Sequence, residues 1–195
     1  MTSRFSIVLD IDETLVHTFE TTRINFGAPE IIPFSHEFFE LHMSTGHTFQ
    51  GARRPDMSVF LNFCSKYFLK VFVWSAGMED YVESVVSELF PLGMPIQALW
   101  SRKDCVKDKT TMIKPLKKLA EAERLDLATI FVLDDFEQTY KNNPDNAIPI
   151  PEFAPLPEAI IKASNTRDAS LSKVMTFLTK ESTLSCSDVR KLKKP

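Results

Sequence analysis

Four apolar stretches constrain the fold of this chain more than any other feature of its sequence. They lie at residues 5–9, 69–75, 96–100 and 128–133, and such runs are typical of strands that are buried on both faces of a sheet. Segments with apolar residues at helical spacing separate them, at 56–67, 78–90 and 110–124, and another follows at 171–178. Because strands that alternate with helices form parallel sheets covered on both faces, we expect an α/β fold, namely a three-layer α/β/α sandwich with a central parallel sheet.

A small insert is predicted beside the first strand, at residues 34–54. Phe39, Leu41 and Met43 alternate with polar residues, 44–46 reads Ser-Thr-Gly, and 47–50 leads the chain back. This pattern predicts a β-hairpin, without a large cap domain. The aromatic residues of the insert either pack it onto the domain, which we favour, or shape the entrance for a substrate.

The domain boundaries follow from the same reading of the chain. We assign residues 1–181 to a single domain and expect 142–151 to form a turn and a short edge strand, because prolines interrupt that segment. Residues 182–195 carry four basic residues between Arg190 and Lys194. We expect this basic tail to be disordered, and a role as an address signal or a nucleic-acid contact stays open but is not favoured.

Composition limits the partners of the chain. The net charge is -3 and the isoelectric point is about 5.8, which gives no general basis for binding nucleic acid or an anionic membrane. No run of 18 apolar residues occurs, so we expect no membrane span. The three cysteines, Cys64, Cys105 and Cys186, are odd in number and scattered, which indicates a reducing compartment. We therefore expect an intracellular monomer, nuclear or cytoplasmic.

Polar residues follow the predicted strands at the points where they end. The first strand leads into Asp10 and Asp12, which project to the same side of an extended chain. Ser75, a Ser101-Arg102 pair, and Asp134 with Asp135 stand at the ends of the other three. Ligands bind beyond the carboxyl ends of the strands in sheets of this kind, so we expect these side chains to share one site.

Several carboxylates at one edge repel one another unless a cation lies among them or some are protonated. The candidate ligands are all hard oxygens, with no cysteine or histidine at ligand spacing, and this donor set indicates Mg²⁺. Together with a lysine, such a site holds a phosphoryl group during transfer. The chain has only 5 glycines and lacks a glycine-rich phosphate loop, which disfavours a nucleoside-triphosphate kinase. An aspartate nucleophile with a second aspartate as proton donor remains.

These residues resemble the haloacid dehalogenase (HAD) superfamily and, within it, the FCP/SCP branch of protein serine/threonine phosphatases. The opening DIDETLVH resembles the D-x-D-x-T signature of that branch, and Arg54-Pro55 resembles its next helix start. Three later segments are similar to the remaining motifs of that branch. The second motif is matched by VFVWSAG, the third by RKDCV followed by Lys114, and the fourth by FVLDD with NNPDNAIPI. The resemblance covers residues 5 to 180.

The resemblance implies a role for each matching residue. Asp10 would attack phosphorus and become an aspartyl-phosphate, while Asp12 would act as acid and base, in a turn fixed by Thr14. Ser75 and Ala76 would contact the phosphoryl oxygens, together with Lys114, Arg54 and Arg102. Mg²⁺ would be held by Asp10, the backbone carbonyl of Asp12, and one of Asp134 and Asp135. We favour Asp135 as this ligand and expect Asp134 to be the partner of Lys114.

The chain departs from the branch at two places. Pro115 stands where an aspartate is usual, and Phe136-Glu137-Gln138 follows Asp135 where Ser-Pro is usual. Both departures put substrate choice in doubt more than activity. We therefore expect a Mg²⁺-dependent phosphoprotein phosphatase, with Ser-Pro phosphopeptides such as the carboxy-terminal tail of RNA polymerase II as candidate substrates. Two alternatives stay open: a phosphatase for a small molecule or a nucleic-acid end, and a noncatalytic phosphate-binding module.

Overall fold

The computed structural model describes residues 3–20, 38–43, 45–155 and 168–195. Its strands are β1 Ser6–Leu9, β2 Val16–Glu20, β3 Phe38–His42, β4 Thr48–Arg53, β5 Lys70–Trp74, β6 Ala98–Trp100, β7 Val106–Asp108, β8 Thr111–Ile113, β9 Ile130–Asp134 and β10 Ala147–Pro149. Its α-helices are α1 Met57–Tyr67, α2 Glu79–Leu89, α3 Leu116–Glu123, α4 Ser170–Leu178 and α5 Glu181–Leu184. None of the helices in this described part is long and apolar enough to cross a membrane.

The central sheet contains the four predicted strands and one more. Its order is β10-β9-β1-β5-β6, and every neighbouring pair is parallel. The fifth strand, β10, is the short edge strand expected within 142–151. Because β1 lies at the centre, the residues that follow it lie between those that follow β9 on one side and β5 on the other.

Helices cover both faces of this sheet. Successive residues of β1 point to opposite faces: Ile7 and Leu9 belong to one core cluster and Val8 to another. The first cluster includes the apolar sides of α1, α2 and α4, and the second includes that of α3. The predicted three-layer sandwich is confirmed, with most of the helices on one face.

The predicted insert is confirmed as part of a small antiparallel sheet. Strands β3 and β4 form the hairpin, and β2 pairs with β4 to make a third strand. Phe39, Leu41 and Met43 are all buried, so the insert packs onto the domain. Of its aromatic residues, Phe39 packs as favoured, whereas Phe49 is half-buried against the core and also lines a cleft. Gly51 allows this close packing, because a Cβ there would lie 2.4 Å from the carbonyl oxygen of His17. Residues 21–37 and Ser44 lie outside the described ranges.

One helix is shorter than its sequence pattern predicts. Apolar spacing predicts a helix over 110–124, but Thr111–Ile113 forms β8, antiparallel to β7, and α3 begins only at Leu116. Pro115 adopts an extended conformation at φ -73° and ψ 93°, and the backbone N–H of Lys114 donates to the carbonyl of Thr139 at 2.7 Å. Pairing with distant segments therefore overrides helical spacing here.

The structure also corrects the predicted tail. Within 182–195, α5 ends at Leu184 and a short 3₁₀ helix spans Val189–Lys191. Val189 is fully buried, as is Thr183, whose hydroxyl donates to the carbonyl of Phe177 at 2.9 Å. The prediction of disorder is wrong because apolar residues between the charged ones anchor the segment to the core.

Candidate active site

The loop after β1 delivers Asp10 and Asp12 to the carboxyl edge of the sheet. The N–H of Asp10 still donates to Leu133 of β9, at 3.0 Å. Glu13 then adopts a left-handed conformation, with φ at +56°, and its N–H donates to the carbonyl of Val16 at 2.8 Å. This tight turn sends the chain into β2 and leaves both aspartates at the edge.

Asp10 forms a buried ion pair. Its Oδ1 lies 2.5 Å from Nζ of Lys114, which also donates to Oδ2 of Asp134 at 2.7 Å. The three residues are 6%, 4% and 0% exposed, respectively. Lys114 reaches this position because it lies between β8 and Pro115, at the end of the strand. As predicted for Asp134, its carboxylate faces Lys114.

The electrostatics of this cluster favour a bound cation. Burial raises the pKa of Asp10 well above its usual value, and Asp134 and Asp12 raise it further, while Lys114 opposes them. Burial lowers the pKa of Lys114, but Asp10 and Asp134 raise it more, so its net shift is upward. A charged Lys114 beside the ionised forms of Asp10, Asp134 and Asp135 leaves two negative charges uncompensated.

Asp135 completes the acidic cluster. Its Oδ1 lies 2.8 Å from the hydroxyl of Thr14, which lies 3.1 Å from Oδ2 of Asp10. Carboxylate oxygens of Asp10, Asp134 and Asp135 lie within 4.8 Å of one another. Three hard oxygen donors with a surplus of negative charge suit Mg²⁺. Thr14 thus lies between two of the candidate ligands, with no contact to the Asp12 side chain among the described hydrogen bonds.

Asp12 lies in a different environment, on the β5 side of the site. Its Oδ2 accepts a hydrogen bond from Ser75 at 2.9 Å, and its Oδ1 accepts one from the hydroxyl of Tyr81 at 2.5 Å. Burial raises the pKa of Asp12, although both hydroxyl donors lower it. The hydroxyl of Ser75 in turn accepts the N–H of Gly77 at 2.8 Å.

Tyr81 is a site residue that sequence reasoning missed, as is Thr139, whose hydroxyl donates to Oδ2 of Asp134 at 2.8 Å. The helical register of Tyr81 with Val85 and Leu89 predicts a core residue of α2, and it is indeed buried. The missed signal was its hydroxyl, which needs a hydrogen-bond partner in the interior, on the first turn of a helix that follows a strand end. Burial, and then the charge of Asp12, raise the pKa of Tyr81 well above its usual value, so it is a hydrogen-bond donor at neutral pH.

The structure corrects the expectation for Arg54. Its side chain is fully buried, and its guanidinium donates to Asp168 and to the carbonyl oxygens of Glu13, Thr14 and Pro151. Burial lowers its pKa, an effect that Asp168 opposes. With its donors committed to protein acceptors, Arg54 braces the loop behind the site, which does not support contact with a substrate.

Arg102 and Ala76 lie together at the rim. Nε of Arg102 donates to the carbonyl of Ala76 at 2.7 Å, and the Arg102 side chain is exposed. Both residues line a cleft of about 540 Å³ that runs from Asp12 between α2 and the small sheet, where Met43, Phe49 and Met78 also line it. This rim position is compatible with the predicted contact of Arg102 with a substrate.

The arrangement can carry out a two-carboxylate reaction at phosphorus. Asp10 supplies a carboxylate beside an ammonium group that neutralises negative charge, and the acidic cluster can hold a metal. Asp12, two residues along, is held by hydroxyl groups beside an open cleft and can move a proton there. The groups that a nucleophile, a charge neutraliser and a proton carrier require are thus present in one site.

The chain matches a family model described as "NLI interacting factor-like phosphatase" over residues 5–190. It is 29% identical to "CTD nuclear envelope phosphatase 1B" of Danio rerio, over 74% of this chain and 57% of that protein. It is 30% identical to "Carboxy-terminal domain RNA polymerase II polypeptide A small phosphatase 2" of Homo sapiens, over 75% of this chain and 49% of that protein. It is 27% identical to "Mitochondrial import inner membrane translocase subunit TIM50" of Candida glabrata, over 76% of this chain and 27% of that protein.

Comparison with solved structures agrees on the fold. Fission yeast RNA polymerase II CTD phosphatase Fcp1, as its R271A variant bound to beryllium fluoride, aligns with a TM-score of 0.61 and 17% identity, over 97% of this chain and 59% of that one. The chain thus spans between about a quarter and three fifths of these proteins. The family match and the fold together show that the chain belongs to the NLI interacting factor-like phosphatases, the FCP/SCP type of the HAD superfamily.

Proposed function

We propose that this protein is a Mg²⁺-dependent phosphoprotein serine/threonine phosphatase that works through an aspartyl-phosphate. The observation that carries this proposal is the different pairing of two aspartates: the buried Asp10 is paired with Lys114, whereas the half-buried Asp12 is held by two hydroxyl groups. One carboxylate is thereby kept for attack and the other for proton transfer. The names of two relatives support phosphatase activity.

In the first step an oxygen of the Asp10 carboxylate forms a bond to phosphorus. The bond from phosphorus to the seryl or threonyl oxygen breaks, its electron pair stays on that oxygen, and Asp12 in its acid form gives the oxygen a proton. The raised pKa of Asp12 favours the acid form that this step requires. The products are the free hydroxyl of the substrate and the phosphorylated Asp10.

In the second step the Asp12 carboxylate takes a proton from water, whose oxygen bonds to phosphorus. The bond to Asp10 breaks and its electron pair restores the carboxylate, which Lys114 neutralises. The carboxylates of Asp10, Asp134 and Asp135 fit Mg²⁺, and the backbone carbonyl of Asp12 is a further predicted ligand. When bound, the ion would neutralise charge on the phosphoryl oxygens.

The cleft supports a peptide substrate. It is open to solvent beside Asp12, and Met43, Phe49 and Met78 offer apolar contacts next to the exposed guanidinium of Arg102. Two relatives carry the carboxy-terminal domain of RNA polymerase II or its abbreviation in their names, which makes Ser-Pro phosphopeptides the first class to test. An intracellular location, nuclear or cytoplasmic, and a monomeric state stay predictions, and a nucleic-acid partner stays open but is not favoured.

A turnover assay tests the proposal. Purified protein is given 4-nitrophenyl phosphate and a panel of phosphoserine peptides, sugar phosphates and phosphorylated oligonucleotides, with Mg²⁺ and again after chelation. We expect hydrolysis only with Mg²⁺, the highest kcat/KM on a phosphopeptide, and background rates for Asp10→Asn. Activity that survives chelation would contradict the metal requirement, and a preference for a sugar phosphate or an oligonucleotide would support the small-molecule or nucleic-acid-end alternative.

A noncatalytic binding module is the second alternative, since one relative is named as a translocase subunit. The buried pair of Asp10 with Lys114, and Asp12 two residues along beside the cleft, disfavour it. A module of this kind would bind a phosphopeptide in calorimetry without hydrolysing any substrate of the panel. The same panel therefore separates it from the phosphatase.

A further inference from the structure

The Asp12 side chain has two hydroxyl donors, one for each oxygen. Ser75 donates to Oδ2 at 2.9 Å, and Tyr81 donates to Oδ1 at 2.5 Å. The two donors come from different elements, since Ser75 follows β5 and Tyr81 lies on the first turn of α2. The carboxyl of Asp12 is therefore fixed from two sides.

Only one of these donors is free to hold Asp12 throughout a reaction. The hydroxyl of Ser75 has a single proton and already accepts the N–H of Gly77, at 2.8 Å. If Ser75 turns that proton to a phosphoryl oxygen, as its predicted role requires, it loses its bond to Asp12. Tyr81 then remains as the hydroxyl donor to Asp12 among the described contacts.

The Tyr81 ring is held in place by its neighbours. A Cβ on Gly77 would lie 2.7 Å from Cδ1 of Tyr81, so glycine at this position lets the ring approach the backbone. The ring of Phe49 meets it edge to face, with centroids 5.6 Å apart and planes at 63°. The ring is therefore held where its hydroxyl reaches Asp12 at 2.5 Å, while Oγ1 of Thr18 lies farther from that hydroxyl, at 3.5 Å.

We propose that Tyr81 is a positioning residue, which holds the Asp12 carboxyl at the leaving oxygen while Ser75 is engaged with the phosphoryl group. This inference rests on the proposed phosphatase function. Tyr81 gives up no proton in the reaction: Asp12 gives its proton to the departing oxygen, and Tyr81 fixes the direction in which it does so. This orientation of the Asp12 proton matters most for a poor leaving group, because such a group must be protonated as it departs.

Tyr81→Phe tests the role with two substrates that differ in their leaving group. A seryl oxygen must be protonated as it departs, whereas 4-nitrophenolate leaves readily without a proton. Because kcat/KM reports the first phosphoryl transfer, its ratio between a phosphoserine peptide and 4-nitrophenyl phosphate isolates the acid step. We expect a loss of about 10- to 100-fold on the peptide, the range for a hydrogen bond to a charged group, and a clearly smaller loss on the aryl phosphate.

Tyr67→Phe is the matched control, because it removes a buried tyrosine hydroxyl that donates to the carbonyl of Leu178 at 2.6 Å, away from the site. It is expected to change stability and leave the substrate ratio unaltered. A second test places Tyr81→Phe in an Asp12→Asn background, where it should no longer change the ratio.

The outcomes are separable. Equal losses on both substrates, or an unchanged effect of Tyr81→Phe in the Asp12→Asn background, would overturn the positioning role and leave the phosphatase intact. Absence of turnover by the wild-type protein on both substrates would overturn the proposed function and this inference with it. A thermal melt of each variant confirms that the protein compared is folded.

Discussion

The two sides of the site differ in the groups that hold an aspartate carboxylate. On the β9 side, Asp10 and Asp134 share the ammonium of Lys114. On the β5 side, Asp12 is held by the neutral hydroxyls of Ser75 and Tyr81. The ammonium of Lys114 opposes the rise in the pKa of Asp10 that burial causes, and the two hydroxyl donors oppose the rise in the pKa of Asp12 without adding a charge. The comparison teaches that the tertiary structure gives two aspartates of one turn different surroundings, an ammonium group for Asp10 and neutral hydroxyl groups for Asp12.

The largest expected effects come from the single substitutions Asp10→Asn and Asp12→Asn. Asp10→Asn removes the nucleophile and should reduce turnover of every substrate to background, with no phosphorylated protein formed. Asp12→Asn keeps the nucleophile and should lower kcat/KM on a phosphopeptide about 10²–10⁴-fold, the usual range for general acid catalysis. Rapid-quench detection of the aspartyl-phosphate with 4-nitrophenyl phosphate checks both. Phosphorylated protein in Asp10→Asn would refute the assignment.

Lys114→Met sharpens the comparison on the β9 side. Without the ammonium, Asp10 and Asp134 lose their shared partner, and breaking a buried pair in this way costs about 3–5 kcal/mol. We expect a lower melting temperature, near-complete loss of activity, and a larger stabilisation by Mg²⁺ than in the wild type, because the cation then has more uncompensated charge to neutralise. Lys118→Met is the control, since that side chain is half exposed. Equal Mg²⁺ shifts in both variants would argue against a cation among these carboxylates.

Arg54→Lys tests what the two sides have in common. Arg54 donates to the carbonyl oxygens of Glu13 and Thr14, in the loop that carries both aspartates, and lysine cannot reproduce the planar set of donors. We expect about 2–3 kcal/mol of destabilisation in urea unfolding, from the loss of charged hydrogen bonds. The exposed Arg190→Lys is the control and should leave the free energy of unfolding nearly unchanged. A loss of phosphate affinity without a loss of stability would instead restore the predicted substrate role for Arg54.

The smallest expected effect is a pH dependence at Asp168, the ion-pair partner of Arg54. Burial raises the pKa of Asp168, but hydrogen bonds from Ser170 and Arg54 outweigh it, so its net shift is downward. A carboxyl with a lowered pKa stabilises the fold above its unfolded-state value, and that stabilisation is lost as the pH falls through the lower, folded-state value. The stability difference between the wild type and Asp168→Asn should therefore be largest at neutral pH and shrink below about pH 4. A difference that stays constant down to pH 2 would contradict the ion pair.

Local patterns predicted much of this protein because the signals were local. Buried strands have unbroken apolar runs, and residues at strand ends of a parallel sheet must share one edge, so the central sheet and the gathering of Asp10, Asp12, Ser75 and Asp135 could be expected. Lys114 was identified only through the resemblance to a known family. The failures arose where distant contacts decided. The segment before Pro115 has helical spacing but pairs with β7 and with Thr139, and the basic tail folds because Val189 finds a place in the core.

The sequence by itself determined the sheet, the acidic edge and the types of atom available for chemistry, since these depend on residue order and spacing. Only the tertiary structure decided the partners: Arg54 turns inward to Asp168, Thr14 lies between Asp10 and Asp135, and Tyr81 reaches Asp12 across 69 residues of chain. Side-chain hydrogen bonds between remote segments leave no periodic trace in a sequence, because any neutral or charged donor at the right place in space can make them.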